Sequence, residues 1–186
     1  AVLRQLLLVD SQNRLGLFTL ALVSEQRGLL DTAAEFYDRF LELEPENTEV
    51  LSQRANLAEL QKAVDTAIML RRRLLRLTHA SLQNRYKLGQ LLVDAERDDE
   101  ASEIFLALAK DFPELCQPYV QLGYIEIRRH RHPQAIRMLE EASKRIPDNA
   151  EIQSLIGFTH LAVKDDTKAV TAFKAARKMD PKNVNI

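Results

Sequence analysis

The fold is decided by a stretch that repeats itself: residues 121–147 read QLGYIEIRRHRHPQAIRMLEEASKRIP, and residues 155–181 read LIGFTHLAVKDDTKAVTAFKAARKMDP. The two copies are offset by 34 residues. The same interval separates three further sets of residues, which are the glycines Gly89, Gly123 and Gly157, the alanines Ala101, Ala135 and Ala169, and the prolines Pro113, Pro147 and Pro181. A fixed period of this length predicts a stacked helical array, because each repeat must bury its apolar face on its neighbours.

Rows of 34 residues that end just after the prolines divide most of the chain into five abutting repeats, 14–47, 48–81, 82–115, 116–149 and 150–183. Residues 1–13 fit the second helix of a truncated preceding repeat, and residues 184–186 fit the start of a sixth repeat. Neither end carries the polar cap that closes most repeat arrays. We therefore interpret the 186 residues as a window of a longer array.

The recurring residues resemble those of the tetratricopeptide repeat family. The fifth repeat supplies Ile156-Gly157, Ala169, Phe173, Ala176 and Pro181, and the fourth supplies Tyr119, Leu122-Gly123, Ala135, Leu139, Ala142 and Pro147. Repeat 2 departs furthest, because Arg71 stands at row position 24 in place of an apolar residue and His79 replaces the proline. The resemblance implies an all-α fold, a right-handed superhelical solenoid of antiparallel helix pairs, with a helix A and a helix B in each repeat.

Elementary chemistry explains several of these positions. Glycine at row position 8 and alanine at position 20 remove side-chain bulk, so we expect helices A and B to approach closely there. Proline near the end of each row cannot continue a helix and restricts the residue before it, so helix B should stop. Asparagine two residues after the proline, as in Asn149 and Asn183, suits the turn or the start of the next helix.

The resemblance also implies a concave wall lined by the A helices, with side chains from row positions 2, 5, 6, 9, 12 and 13 facing inward. Reading those positions predicts a partner-binding groove of amides, aromatic rings and a few cations. Its residues are Ser52, Gln53 and Asn56 in repeat 2, Gln83, Tyr86, Lys87 and Gln90 in repeat 3, Gln117, Gln121, Tyr124 and Arg128 in repeat 4, and Ser154 and Phe158 in repeat 5.

Two chemical roles follow for this groove. The amides can pair with the backbone of an extended peptide, and the aromatic rings can bury its apolar side chains. The alternative is that Tyr86, Tyr124 and Phe158 pack only between adjacent A helices. The carboxylate clamp known in the family is incomplete, since Phe18 and Leu22 stand where it needs Lys and Asn, so we expect no preference for a free C-terminal carboxylate.

Charged clusters have structural explanations. The basic run at residues 128–132 falls at the A–B turn of repeat 4, and residues 94–100 make the same turn of repeat 3 acidic. Neighbouring turns stack side by side, so we expect mutual compensation and no nucleic-acid surface. Among the arginines at 71, 72, 73 and 76, we expect Arg71 to lie along a neighbour with its stem buried and its head in water. An alternative makes repeat 2 a joint or a contact site on the convex face.

Other function classes find no support in the sequence. The net charge is −1, so no global field selects nucleic acid or an anionic membrane, and no apolar run approaches the roughly 20 residues of a membrane span. The four histidines and the single cysteine, Cys116, show no metal-ligand spacing, and no phosphate loop or nucleophile motif is present. We expect no cofactor, no metal site and no catalytic residue.

The sequence therefore predicts a non-catalytic scaffold that binds a partner protein or peptide in its concave groove. One alternative is self-association through the uncapped ends, and another is an accessory arm of a larger bacterial envelope or secretion protein. The excess of arginine (17) over lysine (9) favours a bacterial source. The compartment, cytoplasmic or periplasmic, stays open.

Overall fold

The computed structural model describes residues 11–78 and 81–181. This part of the chain contains no strand and forms ten helices, so the all-α class is confirmed: α1 (Arg14–Gln26), α2 (Leu30–Leu43), α3 (Thr48–Leu60), α4 (Val64–Thr78), α5 (Leu82–Asp94), α6 (Asp98–Asp111), α7 (Gln117–Arg128), α8 (His132–Arg145), α9 (Ala150–Ala162) and α10 (Asp166–Met179). The predictions for residues 1–10, for His79 and for residues 182–186 lie outside the described residues.

The helices begin at a regular interval. The B helices begin 34 residues apart, at Leu30, Val64, Asp98, His132 and Asp166. The A helices keep the same interval at Arg14, Thr48, Leu82 and Ala150, whereas α7 begins one residue late at Gln117. The chemical period of the sequence is thus also the period of its helices.

The chain divides into two compact units, an N-terminal unit (Ala1–Leu91) and a C-terminal unit (Leu92–Ile186). In the N-terminal unit α1 packs against α2, α2 against α3, and α3 against α4. In the C-terminal unit α6 packs against α7, and each of α7, α8 and α9 packs against the helix that follows it. In all of these pairs, helices that follow one another in the sequence are also neighbours in space.

Small residues let the paired helices approach closely. The alanines at row position 20 have no exposed surface; they are Ala33, Ala67, Ala101, Ala135 and Ala169. A Cβ atom added to Gly123 would lie 2.7 Å from Cδ2 of Leu139, and one added to Gly157 would lie 2.7 Å from Cε1 of Phe173. The predicted close approach is confirmed, and the side chain that fills the space left by each glycine comes from row position 24.

Every A–B turn contains one residue with a positive φ angle. These residues recur every 34 positions, and they are Gly28 (72°), Lys62 (57°), Glu96 (56°), His130 (58°) and Lys164 (61°). The residue after each one donates its N–H to a carbonyl five positions back, as in Leu29 to Ser24 at 2.9 Å and Arg131 to Glu126 at 2.8 Å. This left-handed turn is the Schellman ending of an α-helix, and the sequence concealed it because four of its five residues are not glycine.

The A helices share a side-chain cap. Oδ1 of Asn13, Asn47 and Asn149 accepts a hydrogen bond from the backbone N–H three residues later, at 2.8, 3.0 and 2.9 Å, and Ser81 Oγ accepts in the same way at 3.2 Å. The predicted cap role of Asn149 is confirmed. In repeat 4 the same row position holds Leu115, and the residue three positions later is Pro118, which has no N–H to donate. The N-cap of α7 is Cys116, which makes no side-chain cap bond.

Candidate functional site

The thirteen predicted groove residues all lie on A helices and are exposed or half-buried. Seven lie on α3 and α5 within the N-terminal unit, and six lie on α7 and α9 in the C-terminal unit. The two sets differ in character, because the first surrounds a polar cavity and the second presents aromatic rings.

A cavity of about 380 Å³ lies among α3, α4 and α5 in the N-terminal unit. Four predicted residues line it, namely Ser52, Asn56, Gln83 and Lys87. Most of the remaining wall is also polar and consists of Thr48, Glu49, Arg71, Leu74, Thr78, Ser81 and Asn84. Such a lining suits a ligand group that forms hydrogen bonds better than one that is purely apolar.

The position of the Arg71 side chain differs in part from the prediction made from the sequence. It is only 3% exposed, so the expected burial of its stem is confirmed, but the expectation that its head reaches water is wrong. Its Nε donates to Glu59 Oε1 at 2.9 Å, and its Nη2 donates to Glu59 Oε1 and to Asn56 Oδ1, both at 2.5 Å. The side chain starts on α4 and reaches acceptors on α3. Those acceptors make the burial possible, because a buried charge must be paired.

Lys87 extends this network from α5. Its Nζ donates to Asn56 Oδ1 at 3.0 Å and lies 3.8 Å from Glu59 Oε2. Two cations, Arg71 and Lys87, therefore share the single carboxylate of Glu59, and Asn56 Oδ1 accepts from both. The amide of Asn56, which was predicted to bind a peptide, therefore already uses its oxygen in hydrogen bonds to neighbouring side chains. Asn84 adds a link between helices, since its Nδ2 donates to the backbone oxygen of Arg71 at 3.0 Å.

The C-terminal unit presents two aromatic rings at row position 9. Tyr124 is 38% exposed and Phe158 is 52% exposed, with Leu161 (45%) one helical turn further along α9. Tyr124 Oη donates to Glu151 Oε1 at 3.4 Å, and burial, followed by the charge of Glu151, raises the pKa of its hydroxyl. The Phe158 ring stands edge-on to Phe173, with 4.9 Å between centroids. Both rings thus pack internally and still offer half their surface to a ligand.

The other predicted residues of this unit are less available. Arg128 donates Nε to Asp98 Oδ2 at 3.0 Å and Nη1 to the backbone oxygen of Val93 at 3.1 Å. Ser154 Oγ donates to the Ala150 carbonyl of its own helix at 2.7 Å. Gln117 is exposed and Gln121 is half-buried. Tyr124 and Phe158 are therefore the predicted residues on α7 and α9 that expose aromatic surface to a partner.

The remaining predictions for the N-terminal unit concern side chains outside the cavity lining. Gln90 is exposed on α5, while Gln53 and Tyr86 are half-buried. Sequence reasoning missed Arg71 as a cavity residue, because row position 24 belongs to a B helix. The signal was visible, since the four other repeats hold Tyr37, Phe105, Leu139 and Phe173 there.

The basic run of repeat 4 is compensated as predicted. Arg128 forms an ion pair with Asp98, and Arg129 Nη2 lies 2.5 Å from Asp99 Oδ1. Glu126 also takes part, at 3.1 Å from Arg129 Nη1 and 3.9 Å from Arg131 Nη1. Ion pairs at a surface contribute about 0–1 kcal/mol each, so these pairs add little stability to the edge.

Other chemistries find no grouping within residues 11–78 and 81–181. No three His, Cys, Asp or Glu side chains in these ranges are arranged to hold a metal ion. None of the helices seen there is both long and apolar enough to cross a bilayer. Cys116 is buried, and burial raises the pKa of its thiol, which disfavours the reactive thiolate.

Comparisons with known proteins address the fold. A family model described as tetratricopeptide repeat matches residues 120–184, and no curated protein matches the sequence. Among solved structures, the chain is similar to MamA (TM-score 0.81, 19% identity, covering 92% of this chain and 94% of that one). It is also similar to YrrB, described as a TPR protein with an unusual peptide-binding site (TM-score 0.74, 17% identity, 98% and 94% covered). A third is MamA 41-end from Desulfovibrio magneticus RS-1 (TM-score 0.78, 16% identity, 92% and 98% covered).

These comparisons confirm the tetratricopeptide resemblance and the repeat fold predicted from the sequence. At identities below a fifth, the likeness to the solved structures concerns the fold alone.

Proposed function

We propose that this chain, a helical repeat with the tetratricopeptide fold, is a non-catalytic scaffold that binds an extended segment of a partner protein against its A helices. The observation that carries the proposal is the polar cavity of about 380 Å³ in the N-terminal unit, which four of the predicted groove residues line. A preformed cavity lowers the entropic cost of binding, because its side chains are already ordered.

Each unit offers a different kind of contact. On the N-terminal unit, polar groups of a partner would bond to the side chains around Asn56 and Lys87. On the C-terminal unit, apolar side chains of a partner would cover the exposed parts of Tyr124 and Phe158. Buried aromatic anchors carry much of the energy of such interfaces. The peptide-binding site named in the description of YrrB is compatible with this role and adds support by likeness of fold only.

The test is a triple variant, Asn56→Ala, Tyr124→Ala and Phe158→Ala, in partner capture followed by calorimetric titration of the captured segment. We expect affinity to fall by at least 100-fold, since each aromatic anchor contributes about 1–2 kcal/mol. The matched control changes three exposed apolar residues of the B helices, Met69, Leu106 and Val170, to alanine and should leave affinity within twofold. Unchanged binding by the first variant would remove the groove assignment.

A further inference from the structure

We infer that the cavity among α3, α4 and α5 receives the neutral carboxamide of a glutamine side chain in the partner segment, with Asn84 Oδ1 as the acceptor for its N–H. This inference rests on the proposed function and specifies the chemistry of one residue of the partner. The oxygen of the same carboxamide would accept from Lys87, which lies about one turn further along α5.

The first observation is a buried acceptor that lacks a donor. Asn84 is 6% exposed and lines the cavity. Its Nδ2 donates to the backbone oxygen of Arg71 at 3.0 Å, which fixes the orientation of the amide, because the reversed amide would place two oxygens against each other. Oδ1 is buried and accepts no hydrogen bond within residues 11–78 and 81–181.

A donor from the cavity would satisfy this acceptor. A buried oxygen without a hydrogen bond is costly, so a ligand that supplies an N–H regains that cost on binding. The χ2 torsion of asparagine is soft, and a small rotation about it would bring Oδ1 within reach of a group in the cavity. Glutamine is favoured over asparagine as the ligand, because the acceptor is recessed and the longer side chain reaches further.

The second observation is the place of Asn84 in the repeat, which is row position 3. The same position in the other repeats holds buried residues without a polar side chain, namely Gly16, Val50, Pro118 and Ile152. Arg71 is likewise the one charged residue at row position 24. Both exceptions line the same cavity. Departures from the pattern of a fold are expected where a site requires them.

The third observation selects a neutral ligand. Arg71 and Lys87 line the cavity as cations. Glu59 contacts both of them, and Glu49 adds a second carboxylate to the lining. The charges are therefore balanced, so a carboxylate or an ammonium group would bring an unmatched charge.

A carboxamide also suits the donor on the opposite side of its own group. Lys87 Nζ has three N–H groups and gives one to Asn56 Oδ1 at 3.0 Å. Because the lysine lines the cavity, it can give another to a carbonyl oxygen that enters. A carboxamide thus offers an N–H for the unsatisfied acceptor and an oxygen for the lysine.

The experiment titrates the full chain with five-residue peptides, acetylated and amidated, that differ only in a central Gln, Met, Glu or Lys. Met matches Gln in length but lacks the carboxamide, so the peptide backbone contributes equally to both. The amide NMR signals of Ser52, Gln83 and Asn84, including the side-chain NH₂ of Asn84, report binding. We expect the Gln peptide to bind at least tenfold more tightly than each of the others. Equal binding of the Gln and Met peptides, or tighter binding of the Glu or Lys peptide, would overturn the inference.

Two variants and a control locate the effect. Asn84→Val removes the acceptor and introduces the residue that repeat 2 has at this row position. It should weaken the Gln peptide at least tenfold and leave the Met peptide within twofold. Lys87→Met should weaken the Gln peptide at least threefold. Arg76→Gln, an exposed change on α4, should leave both peptides within twofold.

Circular dichroism verifies that each variant folds. If Asn84→Val unfolds, the comparison of the Gln and Met peptides on Lys87→Met and on the parent decides the outcome. If the triple groove variant loses the partner while the Gln and Met peptides bind the parent alike, the scaffold function stands and the glutamine preference falls.

Discussion

At the scale of single residues, the glycines serve two different purposes. Gly123 and Gly157 lie in helices, and the side chain of row position 24 occupies the space that a Cβ atom would need, so glycine is required there for lack of space. Gly28 has nothing within 4 Å of an added Cβ, but its φ angle is +72°. It is favoured by backbone conformation, because L-residues with a side chain are strained there.

This distinction predicts the outcome of alanine substitution. Gly157→Ala would gain about 1 kcal/mol of helix propensity, but it would force the rigid Phe173 ring aside, and such overpacking costs about 1–3 kcal/mol. We expect a net loss of about 0–2 kcal/mol in the free energy of unfolding, measured by urea titration. Gly28→Ala should cost about 1 kcal/mol through strain alone. A gain in stability for Gly157→Ala would show that Phe173 moves away easily.

A second residue-scale feature is the buried phenol of Tyr37. The side chain has no exposed surface, and Oη donates to Glu25 Oε2 at 3.0 Å. Burial and then the contacts with Glu25 raise the pKa of this hydroxyl far above its ordinary value. The folded state therefore holds the proton more tightly than the unfolded state does, so this contribution to stability is complete below pH of about 10 and declines as the pH rises further.

Tyr37→Phe tests this linkage. The variant should lose about 1 kcal/mol at neutral pH, the typical contribution of one hydrogen bond. Above pH of about 10, its free energy of unfolding should fall less steeply than that of the parent, by up to about 1.4 kcal/mol per pH unit. Tyr124→Phe is the control with a half-exposed hydroxyl and should change the slope less. Equal slopes for the parent and Tyr37→Phe would contradict the assigned pKa direction.

At the scale of elements, the helix ends are more regular than their sequences. All five A–B turns have a residue in the left-handed conformation at the same row position, yet only the first of these residues is glycine. The other four carry a side chain in a conformation that costs roughly 1 kcal/mol. The hydrogen bonds of each turn and the packing of the helices on either side maintain this strain.

Restoring glycine at these turns should stabilise the protein. We expect Lys62→Gly and Lys164→Gly each to raise the free energy of unfolding by about 0.5–1 kcal/mol, because the turn geometry is kept while the strain is removed. Lys174→Gly, an exposed position inside α10, is the control and should lose about 1 kcal/mol, since glycine in a helix interior lowers helix propensity. Urea denaturation measures all three, and a loss at both turn positions would argue against strain.

At the scale of the whole molecule, stability should follow the linear order of the helices. In the C-terminal unit each helix packs on the next one along the chain, and energies in such stacks are close to sums of nearest-neighbour contributions. A substitution that destabilises one helix pair should therefore destabilise mainly the helices that pack directly against it.

Hydrogen exchange on Gly157→Ala measures that spread. We expect the amides of α9 and α10 to lose the most protection, those of α8 to lose less, and those of α6 to keep theirs. A uniform loss through α6, α7, α8, α9 and α10 would show that this unit unfolds as one cooperative body.

The repeat fold could be read from the sequence because its determinants are local and recur. Glycine, alanine and proline at a 34-residue interval specify helix ends and close approaches between helices independently of distant contacts. The cap role of Asn149 was predicted from its residue type and its place after the proline. Much of the site was also accessible, since row positions placed Ser52, Asn56, Gln83 and Lys87 on A helices, where they line one cavity. Period alone could not reveal the positive φ angles of Lys62 or His130, because turn hydrogen bonds and packing impose them against the preference of the residue.

The sequence by itself determined the all-α repeat, the order of its helices and the A helices on which Asn56, Lys87, Tyr124 and Phe158 lie. Only the tertiary structure decided the direction of Arg71, whose guanidinium lies against Glu59 and Asn56 beneath the cavity. It also decided that Arg128 is held by Asp98. The physical reason is that a helical period fixes where a side chain begins, whereas a long charged side chain ends where packed neighbours supply acceptors for it.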